Sequence, residues 1–339
     1  MTTRVAINGL GRIGRATLRV LLEEDGVEVV AVNDIADPEN LAYLLRHDTV
    51  YGSRIDARSE DSRLVVGGDR SIQVLGVKDP AELPWSDLDV ELVFECTGLF
   101  RTEDEMRRHL DAGARRVVLS APAKGGDVAT VVPGVNDDDV TGNELVSTAS
   151  CTTNCIAPVM EVLDRRVGVR KATMTTVHAY TSSQELVDAP AGKWRRGRAA
   201  AANIVPTTTG AADATGKVVP AVSGHFDGVA LRVPVAAGSI ADIVAVTSRD
   251  TSADELNRIF REESESDRYR GVLGVSDDPL VSSDIVGDGH GSLVDLTMTA
   301  VTDGDLVKIM AWYDNEWGYA KQMVRHALRS VGDRAGASR

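Results

Sequence analysis

The sequence predicts an α/β protein in two parts: a doubly wound parallel sheet, then an α+β domain with a mixed, largely antiparallel sheet. Three observations carry this. A glycine-rich turn joins an apolar run to a helical pattern at the very start of the chain. Strand-like and helix-like patterns then alternate to about residue 120, as a parallel sheet with covering helices requires. Beyond residue 150, strand candidates follow one another without a helix each time, which points to antiparallel pairing. At 339 residues the chain also exceeds one ordinary core, so two domains are expected.

Composition narrows the function. A chain with 43% hydrophobic and 26% charged residues is globular. Its net charge of −14 disfavours binding to nucleic acid or to an anionic membrane, because phosphate backbones need a positive face. Seven lysines stand against 30 arginines. An acidic, lysine-poor surface fits a high-salt cell; a GC-rich genome accounts for the arginine bias equally well. Three cysteines, an odd number in a long chain, suit a reducing compartment. No apolar run approaches the roughly 20 residues that span a bilayer. The first residues pass into a strand without a signal-peptide pattern, so a cytoplasmic location is expected.

Taken in order, residues 4–8 read as a buried strand, followed by Gly9-Leu10-Gly11-Arg12-Ile13-Gly14 and a helix through Leu18, Leu21 and Leu22. This is G-x-G-x-x-G in its required context, a Rossmann-type turn with a diphosphate at the helix N-terminus. Residues 27–32 form the second strand, which ends in Asn33-Asp34, 20 positions beyond Gly14. A carboxylate there accepts both hydroxyls of a ribose and repels a 2′-phosphate, which favours NAD over NADP. The alternative for Asp34 is a turn or cap residue. Residues 38–45 and 103–112 read as helices, and residues 90–94 and 116–119 as strands. Two strand ends, Cys96-Thr97-Gly98 and Ser120-Ala121-Pro122, fall at the edge where such sheets bind ligands. Cys96 itself is read as packing.

Residue 150 is the boundary: residues 1–150 form the nucleotide-binding domain, 151–316 the catalytic domain, and 317–339 a terminal helix packing back on the first domain. Cys151 sits where an apolar helical pattern begins (Ile156, Val159, Met160, Leu163). A helix start favours an anion, so this thiol is expected to be biased toward thiolate, the form that attacks carbonyl carbon. Cys155, one turn on, is read as packing. Residues 171–180 form a strand ending in Val177-His178-Ala179-Tyr180-Thr181. A polar loop at 182–203 follows, holding Asp188-Ala189-Pro190 and Arg195-Arg196-Gly197-Arg198; a loop this long is usually functional. Strands at 229–233, 240–247, 293–301 and 307–313, a helix at 252–263 and a helix at 317–331 complete the chain, with residues 332–339 frayed. Of six histidines, only His178 stands at a strand end before a loop.

Five motifs, in order along nearly the whole chain, carry a family resemblance. They are residues 7–15 around the glycine turn, Ala149-Ser150-Cys151-Thr152-Thr153-Asn154-Cys155, residues 177–181, Pro206-Thr207-Thr208-Thr209-Gly210-Ala211-Ala212, and residues 312–319 from Trp312 to Tyr319. Together they resemble phosphorylating glyceraldehyde-3-phosphate dehydrogenase.

The resemblance implies Cys151 as nucleophile, passing through a hemithioacetal and a thioester, and His178 as the base that holds the thiolate as an ion pair. It places one phosphate at Thr181 and Arg232, and the other at Ser150, Thr152, Thr209 and Gly210 with Arg196 nearby. For the cofactor it adds Arg12 and Ile13 to Gly9, Gly11 and Gly14 at the diphosphate, Asp34 at the ribose, Thr97 and Ser120 along the nicotinamide half, and Asn315 at the carboxamide. Lys78 replaces a common arginine near the adenine. Ala189 replaces a leucine frequent in NAD-specific members, while Pro190 and Asp34 match the NAD pattern; NAD is preferred and NADP stays open. No metal is assigned. The family implies a homotetramer, with residues 182–203 near neighbouring subunits. Erythrose-4-phosphate dehydrogenase shares these parts and is the nearest alternative. A cysteine hydrolase using Cys151, His178 and Asn154 leaves the glycine turn unexplained, and a nucleic-acid-binding role runs against the charge.

Overall fold

Val5, Ala6 and Ile7 are fully buried in β1 (Thr3–Asn8), because an uncharged apolar run satisfies its backbone best inside a sheet covered on both faces. The structure is a computed structural model that describes residues 2–53, 55–140 and 142–336. The chain separates into two compact units. One comprises Met1–Val131, Asp137–Ala149 and Met323–Arg339; the other comprises Val132–Asn136 and Ser150–Gln322.

In the first unit β1 leads to α1 (Arg12–Glu23), β2 (Val27–Asn33), α2 (Pro38–Arg46), β3 (Ala57–Glu60), β4 (Arg63–Val66), β5 (Arg70–Leu75), β6 (Leu92–Glu95), α3 (Glu103–Asp111), β7 (Arg116–Leu119), β8 (Ala129–Thr130) and β9 (Leu145–Ser147). Their spatial order is β3-β4-β5-β2-β1-β6-β7-β9-β8. From β5 to β8 the strands run parallel. The other edge departs from the expected all-parallel sheet, since β3, β4 and β5 zigzag antiparallel. Local turn chemistry is the reason: Asp61 and Ser62, at φ +43° and +63°, close one hairpin, and Gly67 and Gly68 close the next. Beside β1, β2 lies on one side and β6 on the other, so the crevice for a ligand opens at their carboxyl ends. Asp37 caps α2, and a Thr102–Glu105 capping box starts α3.

The second unit holds α4 (Cys151–Val167), β10 (Val169–Ala179), β11 (Val205–Thr208), α5 (Ala211–Val218), β12 (Phe226–Val233), β13 (Ser239–Thr247), α6 (Ala253–Glu265), β14 (Leu273–Ser276), β15 (Ser292–Thr302) and β16 (Leu306–Tyr313). The sheet order is β11-β12-β10-β13-β16-β15-β14, parallel at β12–β10 and β15–β14 and antiparallel elsewhere. Along β13 every second residue is buried, the mark of a sheet with one covered face. The cover is α4, which packs on β13, β15 and β16 and buries Ile156, Val159, Met160 and Leu163. The last helix, α7 (Trp317–Gly336), continues past residue 332, where the sequence suggested fraying; residues 337–339 lie outside those described. Among the described residues no helix is long and apolar enough to cross a membrane.

Candidate active site

Cys151 is the first residue of α4 and Ser150 its N-cap, the Ser150 hydroxyl accepting from the Thr153 N–H at 3.1 Å. Ala149, just before, is held at φ +55°, a left-handed conformation that a residue with a Cβ adopts only where its surroundings impose it. From this helix start Cys151 Sγ stands 3.5 Å from His178 Nε2. His178 Nδ1 donates to Ala179 O at 2.6 Å, so Nε2 carries the lone pair that faces the thiol. Arg232, the register partner of His178 on β12, donates to the same Ala179 O at 3.0 Å and to Thr181 Oγ1 at 3.2 Å.

Burial decides the protonation of this pair. It pushes the Cys151 thiol above its ordinary value, outweighing the opposing pull of Arg232 and of Thr152. Burial first and the Arg232 charge second lower His178 to about 3. Burial thus works against the thiolate–imidazolium pair that the family resemblance implies and toward a thiol beside a neutral imidazole. Lost hydration outweighs the partial charge at a helix end.

Several side chains without a role in the sequence reading brace the pair. The buried Tyr313 hydroxyl lies 2.9 Å from Thr152 Oγ1 and 2.7 Å from Thr176 Oγ1, and its ring meets His178 edge-on at 5.9 Å. Ser239 Oγ accepts from the Ala179 N–H at 3.1 Å and donates to Asn315 Oδ1 at 3.0 Å. Cys155 is fully buried, with Sγ toward Ser292 and Ala311 O.

Beside His178 runs a line of anion donors. Arg196 Nε donates to Thr207 Oγ1 at 3.0 Å, and the Ser183 and Thr181 hydroxyls meet at 2.9 Å. Arg232 and Arg196 repel each other, and the enclosed Arg232 Nε has no hydrogen-bond partner. An anion would relieve both conditions. Thr209 Oγ1 accepts from the Ala211 N–H at the start of α5, whose N-cap is Gly210, and α5 packs on α4. The Ser150 and Thr152 hydroxyls have protein partners from which each can accept, and doing so leaves the hydroxyl proton for an anion.

In the first unit, the crevice at the ends of β1 and β6 is a cleft of about 440 Å³ lined by Gly9, Gly11, Asp34, Lys78 and Thr97 among others. A Cβ on Gly14 would fall 1.9 Å from Gly9 O, whereas one on Gly11 would meet nothing within 4 Å. Gly14 thus lets helix pack on turn, and Gly11 leaves the start of α1 open to an anion. Asp34 accepts from the Leu10 N–H at 2.7 Å and the Ala36 N–H at 2.9 Å, so it ties the glycine turn to β2 while lining the cleft. Arg12 pairs with Asp48 at 2.8 Å and lies over the Tyr51 ring; Ile13 is half-buried beside it. Ser120 bonds the Cys96 thiol, which burial pushes up to about 12. Asn315 belongs to the second unit.

Comparison with known proteins agrees with both units. The family profile described as "Glyceraldehyde 3-phosphate dehydrogenase, NAD binding domain" matches residues 3–103, and "Glyceraldehyde 3-phosphate dehydrogenase, C-terminal domain" matches residues 150–315. A glyceraldehyde-3-phosphate dehydrogenase of Mycobacterium tuberculosis is 50% identical over 332 residues, covering 96% of this chain and 97% of its own. Glyceraldehyde-3-phosphate dehydrogenase 2 of Streptomyces avermitilis is 46% identical over 328 residues (96% and 97%). The enzyme of Haloarcula vallismortis is 47% identical over 323 residues (95% and 96%).

Proposed function

The chain belongs to the glyceraldehyde-3-phosphate dehydrogenase family, and from that membership we infer that it oxidises D-glyceraldehyde 3-phosphate to 1,3-bisphosphoglycerate with NAD and inorganic phosphate, a reversible step of glycolysis and gluconeogenesis. The observation that carries the mechanism is the 3.5 Å approach of Cys151 Sγ to the unprotonated Nε2 of His178. As Sγ attacks the aldehyde carbon, Nε2 takes the thiol proton and returns it to the former carbonyl oxygen, giving a hemithioacetal. His178 accepts that hydroxyl proton again as the hemithioacetal is oxidised to the Cys151 thioester. NAD, when bound, supplies the hydride acceptor. Phosphate then attacks the thioester carbon, and the departing sulfur recovers its proton from His178.

Thr181 and Arg232 bind one phosphate; Ser150, Thr152, Thr209 and Gly210 bind the other, with Arg196 nearby. The unpartnered Arg232 Nε and the repulsion between the two arginines support this assignment. The first unit suits NAD: the open start of α1 at Gly11 fits a diphosphate, and exposed Ile35 and Leu99 offer apolar contact at the cleft. Each Asp34 oxygen, already accepting one N–H, keeps a lone pair for a ribose hydroxyl. Gly9, Arg12, Ile13 and Gly14 shape the diphosphate site, Lys78 lies at the adenine, Thr97 and Ser120 at the nicotinamide half, and Asn315 at the carboxamide. NAD is preferred, and NADP is accepted less well. Residues 1–150 bind the cofactor, 151–316 carry the chemistry, and 317–339 form a closing helix.

The working form is a homotetramer. Leu186, Val187, Trp194, Ile204 and Val229 are exposed apolar side chains in and beside the 182–203 loop, which a neighbouring subunit would cover. Three unpaired thiols support a cytoplasmic location. The test is steady-state NADH formation with both aldehydes and both cofactors, with and without phosphate. No NADH from glyceraldehyde 3-phosphate, NAD and phosphate would sink the reading; light scattering decides the tetramer.

A further inference from the structure

In the second unit the end of β10, the start of β13 and the end of β16 lie side by side, with Val177 opposite Ile240 and Ser239 opposite Tyr313. That edge carries His178, next to last in β10. It also carries Asn315, two residues beyond β16. The Asp314 carboxylate holds the backbone here, accepting from the Glu316 and Trp317 N–H groups at 2.9 Å each and from the Gly287 N–H at 2.8 Å. With the backbone fixed, what remains to be set at Asn315 is the direction of its amide.

Ser239 sets that direction. Its side chain is buried, and a hydroxyl has one proton and two lone pairs. One lone pair accepts the Ala179 N–H at 3.1 Å, so the proton goes to Asn315 Oδ1 at 3.0 Å. Turned about, the amide would bring a second donor to Ser239 Oγ and leave the buried hydroxyl proton without an acceptor, which a folded protein avoids. The accepting half of Asn315 is therefore used inside the protein. Its donating half, Nδ2, has no partner among the described residues and is not enclosed, so a ligand can reach it. To that ligand Asn315 can only donate. Ser239 thus ties this donor to the base in two hydrogen bonds, because Ala179, whose N–H it accepts, also supplies the carbonyl that orients His178. Hydride leaves the carbon that Cys151 Sγ holds beside His178, so the group that takes it must come to the same edge. On a nicotinamide, the atom that an N–H can grip there is the carboxamide oxygen.

We propose that Ser239 is a positioning residue for hydride transfer: by occupying Asn315 Oδ1 it presents Nδ2 to the carboxamide oxygen and so fixes the rotation of the nicotinamide ring at the Cys151–His178 edge. The inference rests on the NAD reading above. Ser239 acts through Asn315 and joins no bond-making step.

The experiment is calorimetric titration of the wild type, Ser239→Ala, Asn315→Ala and the double variant with NAD⁺ and with ADP-ribose, which lacks the nicotinamide. Ser239→Ala weakens NAD⁺ binding by about 10-fold and leaves that of ADP-ribose unchanged. In the Asn315→Ala background the same substitution adds less than about 2-fold, because the group it acts through is already gone. Equal weakening of NAD⁺ and ADP-ribose makes Ser239 a brace for the fold and overturns the proposal. A full 10-fold loss on top of Asn315→Ala overturns it too. Should Ser239→Ala fail to fold, the wild type decides with the 3-acetylpyridine analogue of NAD⁺, which keeps the carbonyl oxygen and lacks the NH₂. The analogue binds within about 10-fold of NAD⁺, and a larger loss means that the site reads the NH₂ instead, which overturns the proposal. A wild type that binds neither NAD⁺ nor ADP-ribose refutes the NAD reading itself, and the proposal falls with it.

Discussion

Cys151 Sγ and His178 Nε2 face each other at 3.5 Å where burial raises the thiol and lowers the imidazole to about 3, both of which favour the proton on sulfur. In the cofactor-free protein, alkylation of Cys151 by neutral iodoacetamide should therefore climb with pH beyond the ordinary thiol range. It should show no plateau between pH 5 and 7. A rate already maximal at neutral pH means a thiolate–imidazolium pair and refutes the resting state described.

His178 also sets a pH window for stability. Its folded value lies below that of the unfolded chain, so beneath pH 6.5 the unfolded state binds the extra proton. Stability present above 6.5 is lost as pH falls from 6.5 toward 3, by about 1.4 kcal/mol per pH unit. His178→Asn should lose less stability than the wild type in urea unfolding between pH 6.5 and 5, by about 2 kcal/mol. Parallel losses in the two proteins contradict the burial of a neutral ring.

Much of this site could be read from the chain because its parts announce themselves locally. The glycine turn follows a strand and opens a helix, Cys151 follows an N-cap serine, and His178 ends an alternating strand. The antiparallel edge at 57–75 was missed although Gly67-Gly68, between Leu64-Val65-Val66 and Ile72-Gln73-Val74, is a hairpin signal; the strands are short and flanked by charge. Tyr313 and Ser239 are different in kind. Each owes its role to a contact across many residues of sequence, such as Tyr313 with Thr152 or Ser239 with Asn315, and no local period encodes such a contact. The balance at Cys151 is hidden for a related reason: a helix start is visible in sequence, but the burial that opposes it is not.

Tyr313→Phe removes one hydroxyl shared by Thr152 and Thr176 and leaves both without that partner inside the protein. Stability should fall by about 1–3 kcal/mol. Because Thr152 also touches Cys151, kcat should fall with little change in KM for the aldehyde. An unchanged melting temperature and an unchanged kcat would show that the hydroxyl network is idle.

Arg196 and Arg232 should separate in kinetics. Arg196 bonds Thr207 and Ser183 and makes no hydrogen bond to Cys151 or His178, so Arg196→Ala should raise KM for a phosphate-bearing substrate by about 10-fold with kcat nearly kept. Arg232 also holds Ala179 O, the acceptor that orients His178. Arg232→Ala should therefore lower kcat as well as raise KM. The same kinetic profile for both variants would contradict the distinct contacts.

The glycine turn offers a contrast in which one methyl group tests fold and binding apart. At Gly14 an added Cβ would sit 1.9 Å from Gly9 O, so Gly14→Ala must move backbone and should cost stability and NAD binding together. At Gly11 the same atom meets nothing within 4 Å, and the residue's φ of −67° suits alanine. Gly11→Ala should therefore keep its melting temperature, or gain slightly from the stiffer unfolded chain. Its methyl projects from the cap of α1, where the diphosphate is proposed to approach, so NAD affinity should fall by about 10-fold or more. If Gly11→Ala binds NAD like the wild type, the diphosphate does not rest on this helix start, because the substitution changes nothing else within reach.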